Sequence, residues 1–533
     1  MAWRVSEIRL APDREADLLR QALRLSGLRE EDVLEWHLVR RSLDRRRGQV
    51  SFLYTVDLVP RTDLKGRPSG RGVAWVEPHI WQPPLGLGQE PLAAPPVIIG
   101  TGPAGLFAGL LLAQRGFCPV LLERGDKMNE RARRIREINE DGLLDPESNY
   151  LYGEGGAGTY SDGKLTSRSK DPRAAFVLKA FEERSGVSRV TWDYRPHLGS
   201  DRVRAVVGRV RQEILQLGGH FHFRTCARRV LPRPDGYTVE TNHGEIHAGV
   251  VVAAPGHSAR ELLRQLARDG LPMTAKPFQL GLRVEHPQDW VDQRVLGAYK
   301  SLSSLCPVDY RLLVDVPRGR EVFSFCMCPG GEIIPATQDA GLVNTNGMSW
   351  SRRSTGFANS GLVATLRPED LPTEDIFAGM NLQESLERKA HALVDGLRIP
   401  GQRLLDFLES RPSSAVGPTS SRVPVVPADL ESCLPTGWPG LFREALRRMD
   451  RQMPGFLHNA AVLVGPEARS SSPVRLERDP VSLMSRGFPG FFPVGEGAGY
   501  AGGIISAAVD GLRAAEVIVL QYRPAPKGAS PVH

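Results

Sequence analysis

An α/β fold is predicted, with one parallel-sheet domain split along the chain, an inserted antiparallel β-rich domain and a small N-terminal α+β module. Three observations carry that reading. An apolar strand at 97–99 runs straight into three glycines and an apolar helix; from Phe278 the texture changes to longer alternating strands; near Gly490 the first texture returns. At 533 residues, 41% hydrophobic and 24% charged, the chain is too long for one ordinary core and too apolar for disorder. Two or three domains are therefore expected.

Residues 1–90 read as the N-terminal module and its linker. Trp3 to Leu10 alternates as a strand, Asp13 to Leu25 carries helical spacing, and strands follow at Val33 to Val39 and Val50 to Val59. A Pro- and Gly-rich connector, Leu64 to Pro96, leads out of it. The formal charge is +7, and the densest basic patch near the N-terminus is Arg40 to Arg47, where Asp44 offsets part of the charge. Such a run is ordinarily a solvated face; contact with RNA or an acidic partner is the less favoured reading.

Residues 91–275 carry the most informative stretch, Val97 to Gly105 (VIIGTGPAG). Gly100 permits a tight turn, Gly102 lets the backbone approach a pyrophosphate, and Gly105 lets helix and strand pack closely. Pro103 and Ala104 open the helix, whose unpaired N–H groups and positive dipole end suit phosphates. A second strand ends in Glu123, 18 residues beyond Gly105, with Arg124 beside it. Glu123 suits the two hydroxyls of an adenosine ribose and would repel a 2′-phosphate. The order strand, glycines, helix, strand, acid is that of a Rossmann-like dinucleotide unit. After a charged helical stretch (Asn129 to Asn139), the glycines of 153–164 suggest a backbone pressed against a ligand, with Gly155, Gly156, Gly158 and Ser161 as contacts. The helix Val203 to Leu217 and the strands His220 to Thr225 and Tyr237 to Thr241 follow, and Ala227 is a further candidate contact. Gly249 to Gly256 reads as a buried return strand, ending at the candidate contact Gly256.

Residues 276–454 read as the inserted domain. Its strands are Phe278 to Val284, Arg311 to Val316, Val322 to Cys328, Ile333 to Thr337, Val343 to Trp350 and Gly361 to Leu366, an antiparallel sheet with one covered face. The helices Leu382 to Leu393 and Leu441 to Met449 come next.

Residues 455–533 return to the dinucleotide unit. A buried strand ends at Gly495, the acid Glu496 follows at once, and the helix Ile504 to Leu520 begins after Gly502 and Gly503. Glu496 suits ribityl hydroxyls, and a helix N-terminus at Ile504 would stabilise negative charge on the pyrimidine edge of a flavin. An NAD-only enzyme has no need of this second element, so FAD is favoured over NAD. No second GxGxxG follows a strand and no Cys-x₄-Cys follows the first nucleotide unit. That speaks against a separate NAD(P)H domain and against a disulfide reductase.

Five strings are unusual: Gly153 to Leu165, Gly256 to Arg260, Phe325 to Gly331, Asn346 to Ser349 and Gly495 to Ile504. Together they closely resemble the bacterial and plastid family of uncharacterised FAD-dependent dehydrogenases, related to the glutathione-reductase-like flavoproteins. The resemblance spans nearly the whole chain, including the N-terminal module. It implies an FAD-dependent oxidoreductase, with no substrate specified. One departure stands out: where the family pattern near residue 467 reads Glu-Thr-Arg-Thr-Ser-Ser-Pro, this chain has Glu467, Ala468, Arg469, then Ser470 to Ser472 and Pro473, so the first threonine hydroxyl is lost.

Lys164, beside the glycine-rich loop, suits the flavin N1–C2=O edge or a substrate; a surface lysine is the alternative. His257 is a candidate proton donor or ribose contact, against an ordinary structural histidine. Cys326 and Cys328, two apart on a strand, are expected on one face, as a redox pair or as buried strand cysteines. Arg283 and Glu285 also share a face, to bind an acidic substrate or each other. Arg469 suits a substrate carboxylate or the FAD pyrophosphate. No metal site is expected. The six cysteines (Cys118, Cys226, Cys306, Cys326, Cys328 and Cys433) are too sparse for a disulfide framework, and the N-terminus shows no apolar signal core. A cytoplasmic protein without a membrane span is expected. The function expected is hydride transfer between a small-molecule substrate and flavin N5, with the electron acceptor left open. The alternatives are an RNA-associated flavoprotein and a non-catalytic FAD scaffold.

Overall fold

The computed structural model describes residues 1–44, 50–61, 70, 72–77, 81–166, 170–304 and 308–526. Arg45 to Arg47 of the basic patch, part of the connector and Cys306 lie outside them.

A five-stranded parallel sheet carries the order Phe491–Pro493, Val251–Ala253, Val97–Ile99, Val120–Leu122, His220–His222. The strand Phe491–Pro493 thus joins a sheet begun nearly 400 residues earlier, which is the split anticipated from the returning texture. The helices Pro103–Gln114, Arg173–Ser185, Ser200–Gln216 and Ile504–Gln521 cover one face. A three-stranded sheet (Ala227–Arg233, Gly236–Thr241, Gly244–Ala248) and the helix Arg260–Arg268 cover the other. Burial on both faces is why the central strands read as unbroken apolar runs. The helix Arg173–Ser185 and the strand Ala227–Arg233 escaped the sequence reading.

The second body is a seven-stranded sheet in the order Leu313–Val316, Arg320–Pro329, Phe357–Leu366, Phe278–Pro287, Val462–Glu467, Ile399–Arg403, Val425–Pro427. All neighbours are antiparallel except the last pair. Helix Trp438–Gln452 and its neighbours bury one face. Two expectations change here. Val462–Glu467 belongs to this sheet, past the boundary expected at residue 454. Glu332–Pro335 and Thr345–Met348 leave it to form a separate two-stranded ribbon, because Pro329 ends its strand and Gly330, at φ +55°, turns the chain away.

The N-terminal module is a four-stranded antiparallel sheet in the order Val33–Asp44, Ser51–Pro60, Ala2–Leu10, Val73–Val76, with the helix Leu18–Ser26 against it. Its fourth strand lies within the segment expected to be a connector, hidden there by the surrounding Pro and Gly residues. No helix among the described residues is long and apolar enough to cross a membrane.

Arg283 and Glu285 do share a strand, but they do not pair. Arg283 donates to Glu467 at 2.7 Å through two nitrogens, whereas Glu285 accepts from the Ser420 N–H at 2.8 Å and from its hydroxyl. Burial pushes the Glu285 carboxyl up to about 7, with Ser420 opposing the rise. The folded protein therefore holds a proton there that the unfolded chain has already released, so stability falls as pH rises from about 4.5 towards 7. Replacement by neutral glutamine should cancel this term. Urea unfolding of wild type and Glu285→Gln at pH 5 and pH 8 should show the variant gaining on wild type by on the order of 2 kcal/mol at the higher pH.

Candidate functional site

One cavity of about 1460 Å³ opens at the C-terminal ends of the parallel strands and extends beneath the seven-stranded sheet. That exceeds the roughly 300–1,000 Å³ of ordinary ligand pockets and leaves room for a dinucleotide and a second molecule.

Gly100, at φ +98°, takes the strand into the turn, and a Cβ there would lie 2.3 Å from the Ala254 carbonyl oxygen. A Cβ on Gly105 would lie 2.0 Å from the Gly100 oxygen, so Gly105 secures helix against strand and does not line the cavity. Gly102 is different: nothing lies within 4 Å of a Cβ built there, and the space it leaves is the cavity. Gly102 is the N-cap of helix Pro103–Gln114 and supplies no side-chain cap, so the first N–H groups of the helix are left for a ligand. Pro103 and Ala104 line the cavity beside it.

The second half mirrors this. Gly503 caps the helix Ile504–Gln521, again without a side chain, and a Cβ on Gly502 or Gly503 would meet no atom closer than 4.0 Å. Gly495, Glu496, Gly502, Gly503 and Ile504 line the cavity. A Cβ on Gly497 would lie 2.5 Å from the Gly256 oxygen, so the turns after Val251–Ala253 and Phe491–Pro493 meet. Gly256 and Ala227 line the cavity as well.

The loop 149–159 forms one side of the cavity and is organised by a residue the sequence reading passed over. Arg131, wholly buried on the helix Met128–Asp141, donates to the carbonyls of Asn149 (3.0 Å), Tyr150 (3.1 Å), Gly153 (3.2 Å), Glu154 (2.9 Å) and Gly156 (2.9 Å) and to the Thr159 hydroxyl (2.7 Å). The curl brings Gly156 against Gly102, its would-be Cβ 3.2 Å from the Gly102 Cα. Gly156, Gly158 and Ser161 line the cavity; Gly155 packs behind, against Thr159 and Val207.

Glu123 lines the cavity, yet both its oxygens are engaged. One accepts from the Thr101 N–H (3.2 Å) and hydroxyl (2.6 Å), the other from the N–H groups of Gly125 and Gly153 (3.0 Å each). It therefore ties the first glycine turn to the loop that Arg131 holds. Arg124 forks onto Glu147 (2.9 Å twice) and lies over the Tyr152 ring.

At the far end Lys164 donates to the Met327 carbonyl and lies 3.6 Å from Asp162, which also pairs with His197. A one-residue bridge between Lys164 and His197 sets this register. Burial alone would raise the Asp162 carboxyl, but His197 and Lys164 outweigh it and hold it well below the usual carboxylate range. Burial alone would lower Lys164, but Asp162 outweighs it and the lysine stays charged. Asp162 stood in the sequence two places before Lys164, whereas His197 had no local signal. His257 lies 3.4 Å from Glu496 through Nδ1, and its Nε2 is buried without a partner.

Two expectations are corrected. Cys326 and Cys328 do not share a face: a bulge lies between Phe325 and Cys328, Cys326 sits at φ +44° and is exposed, and Cys328 is buried. The extra residue resets the alternation that spacing alone assumes. Both remain free thiols on the cavity lining. Arg469 lines the cavity but is not available to grip a substrate carboxylate. It forks onto Glu387 (2.7 Å twice) and donates to Gln338 at 2.9 Å, while Arg260 grips the same Glu387 at 3.0 Å.

Comparison with known proteins adds the following. Residues 277–470 match the family described as FAD-dependent protein, C-terminal domain-like, and residues 3–59 match a domain of unknown function (DUF8436). An uncharacterised protein of Clostridium beijerinckii is 36% identical over 535 residues, covering 98% of this chain and 99% of that one. Among solved structures, glycine oxidase from Geobacillus kaustophilus is 13% identical, covering 83% of this chain and 98% of that chain, with a TM-score of 0.36. CtdE in complex with FAD is 12% identical, covering 80% and 82%, with a TM-score of 0.30.

FAD is the cofactor, and the residues present fit it. Two helix N-termini without side-chain caps face one cavity, and the buried His257 Nε2 and Ser470 Oγ on its lining have no partner within the described residues. Because Arg131 donates to five loop carbonyls, Arg131→Lys, with three donors and no fork, should strand some of them. We expect a loss of about 3 kcal/mol or more in urea unfolding, with FAD retention in gel filtration reduced at least tenfold.

Proposed function

The chain belongs to the same family as the Clostridium beijerinckii protein, and we propose that it is an FAD-dependent oxidoreductase transferring a hydride between a small organic substrate and the flavin. The observation that carries this is the pair of uncapped helix N-termini on a single cavity, one at Gly102 and one at Gly503, with a charged lysine at the cavity's far end. When bound, FAD supplies two-electron chemistry at N5.

The chain's own residues divide the remaining work. The N-terminal N–H groups of helix Pro103–Gln114 hold the pyrophosphate, and Glu123 and Arg124 mark the adenosine side. The N–H groups at the start of helix Ile504–Gln521 face the pyrimidine edge of the ring, where negative charge is stabilised by a dipole already in place. His257, whose Nδ1 lies beside Glu496 and whose Nε2 has no partner among the described residues, supplies a hydrogen bond to the cofactor or its substrate. Lys164 has three N–H groups; Met327 takes one, Asp162 lies 3.6 Å away, and Lys164 lines the cavity with donor capacity left for a ligand. Since Lys164 stays protonated, it acts as a hydrogen-bond donor and a fixed positive charge for an anionic substrate group, not as a base. The sheet above the cavity closes the site and excludes water.

Gly102 separates a binding role from a folding role. Its φ of −67° suits alanine and there is open space for the methyl, so Gly102→Ala should unfold like wild type while binding FAD at least tenfold more weakly. Gly105→Ala, whose methyl would strike the Gly100 carbonyl, should instead lower stability. Flavin absorbance titration and thermal unfolding of both variants read the difference. Equal FAD affinity in wild type and Gly102→Ala would overturn the cofactor placement. Lack of flavin bleaching by a broad panel of cell extracts under anaerobic conditions would count against hydride transfer.

A further inference from the structure

The N-terminal module touches a segment that lines the cavity, and the contacts between them are specific. Val33–Asp44 is an edge strand of its sheet, so one row of its backbone groups has no partner inside the module. A register shift between Leu38 and Arg40 presents Arg41 outward. The Arg41 N–H donates to the Trp192 carbonyl at 2.8 Å, and the Tyr194 N–H donates to the Arg41 carbonyl at 2.9 Å, a one-residue parallel bridge centred on Asp193. Side chains reinforce it. The Arg41 guanidinium lies over the Trp192 ring (4.8 Å) and 3.5 Å from Asp193, and Arg40 lies over the Tyr194 ring (4.1 Å). Two arginines of the basic patch are thus committed to an internal contact.

The gripped segment is a wall of the cavity. Tyr194 and Arg195 line it, and Arg195 pairs with Asp309, which also lines it and, like Cys326, lies within the field of the Lys164 ammonium. A hold on residues 192–194 therefore sets where Tyr194 and Arg195 stand.

We propose that the N-terminal module positions the substrate end of the cavity: Arg41 is a positioning residue, and the module's edge strand fixes the Trp192–Arg195 wall and so controls access to the space around Cys326. This rests on reading the cavity as the FAD and substrate site, and the test separates the two. Arg41→Ala, the double variant Arg40→Ala/Arg41→Ala and the conservative Arg41→Lys are prepared as holoenzyme. Amide exchange of residues 190–195 is measured together with N-ethylmaleimide labelling of Cys326, with the exposed Cys118 as internal control. We expect exchange at 192–195 to rise at least tenfold in the double variant. Cys326 labelling should accelerate at least threefold at unchanged Cys118 rate and unchanged flavin content, with Arg41→Lys recovering part of both. Unchanged exchange at 192–195 overturns the proposal, and so does faster exchange with Cys326 labelling unaltered, since the module would then anchor the segment without shaping the cavity. Wild-type protein that binds no FAD overturns the cofactor reading alone.

Discussion

One guanidinium holds the glycine-rich side of the cavity together. Arg131 is buried without a carboxylate against it, and its donors are spread over six oxygens of a loop rich in glycine. A loop of that composition carries many carbonyls and few side chains with which to satisfy them, and buried carbonyls must be paired. Concentrating the pairing in one planar fork lets the glycines curl tightly enough for Gly156 to meet Gly102. Glu123 completes the arrangement from the other side, since its carboxylate joins the Gly153 N–H to the Thr101 turn. The first glycine turn and the glycine-rich loop are one unit because Glu123 bridges them while Arg131 holds the curl of the loop.

A second set of buried ion pairs joins the two sheets. Glu387, on a helix of the inserted body, is gripped by Arg260 from the parallel-sheet body and by Arg469 from the segment connecting the two. The arginines hold its carboxyl down at about 2 although burial opposes this. Arg283 and Glu467 bond across neighbouring strands, with Asn346 and Asn359 taking two further N–H groups. Removing one member of such a group leaves a buried charge without a partner, which is far costlier than the pair's net contribution. Several of the unusual strings in the sequence thereby acquire a structural reason, and Arg469 and Arg283 leave the roster of substrate ligands.

The positive charge of the N-terminal module has a similar explanation. Arg40 lies over the Tyr194 ring of the cavity lining and Arg41 over the nearby Trp192 ring, so two arginines of the basic patch serve packing. The planar guanidinium suits both tasks, because its faces stack while its edge still donates.

What could be read in one dimension was whatever depends on near neighbours. The strand, three glycines and helix at Val97 to Gln114 announced themselves because backbone conformation, helix start and phosphate approach all follow from residues a few positions apart. The return strand and the uncapped helix at Ile504 were legible for the same reason. Tertiary structure decided what depends on distant partners: that His197 stands beside Lys164, that Arg131 serves a loop some 20 residues on, and that Glu387 claims Arg469. It also decided where a local rule broke. A single bulged residue placed Cys326 in the open and Cys328 in the core, since strand alternation survives only while every residue keeps its register.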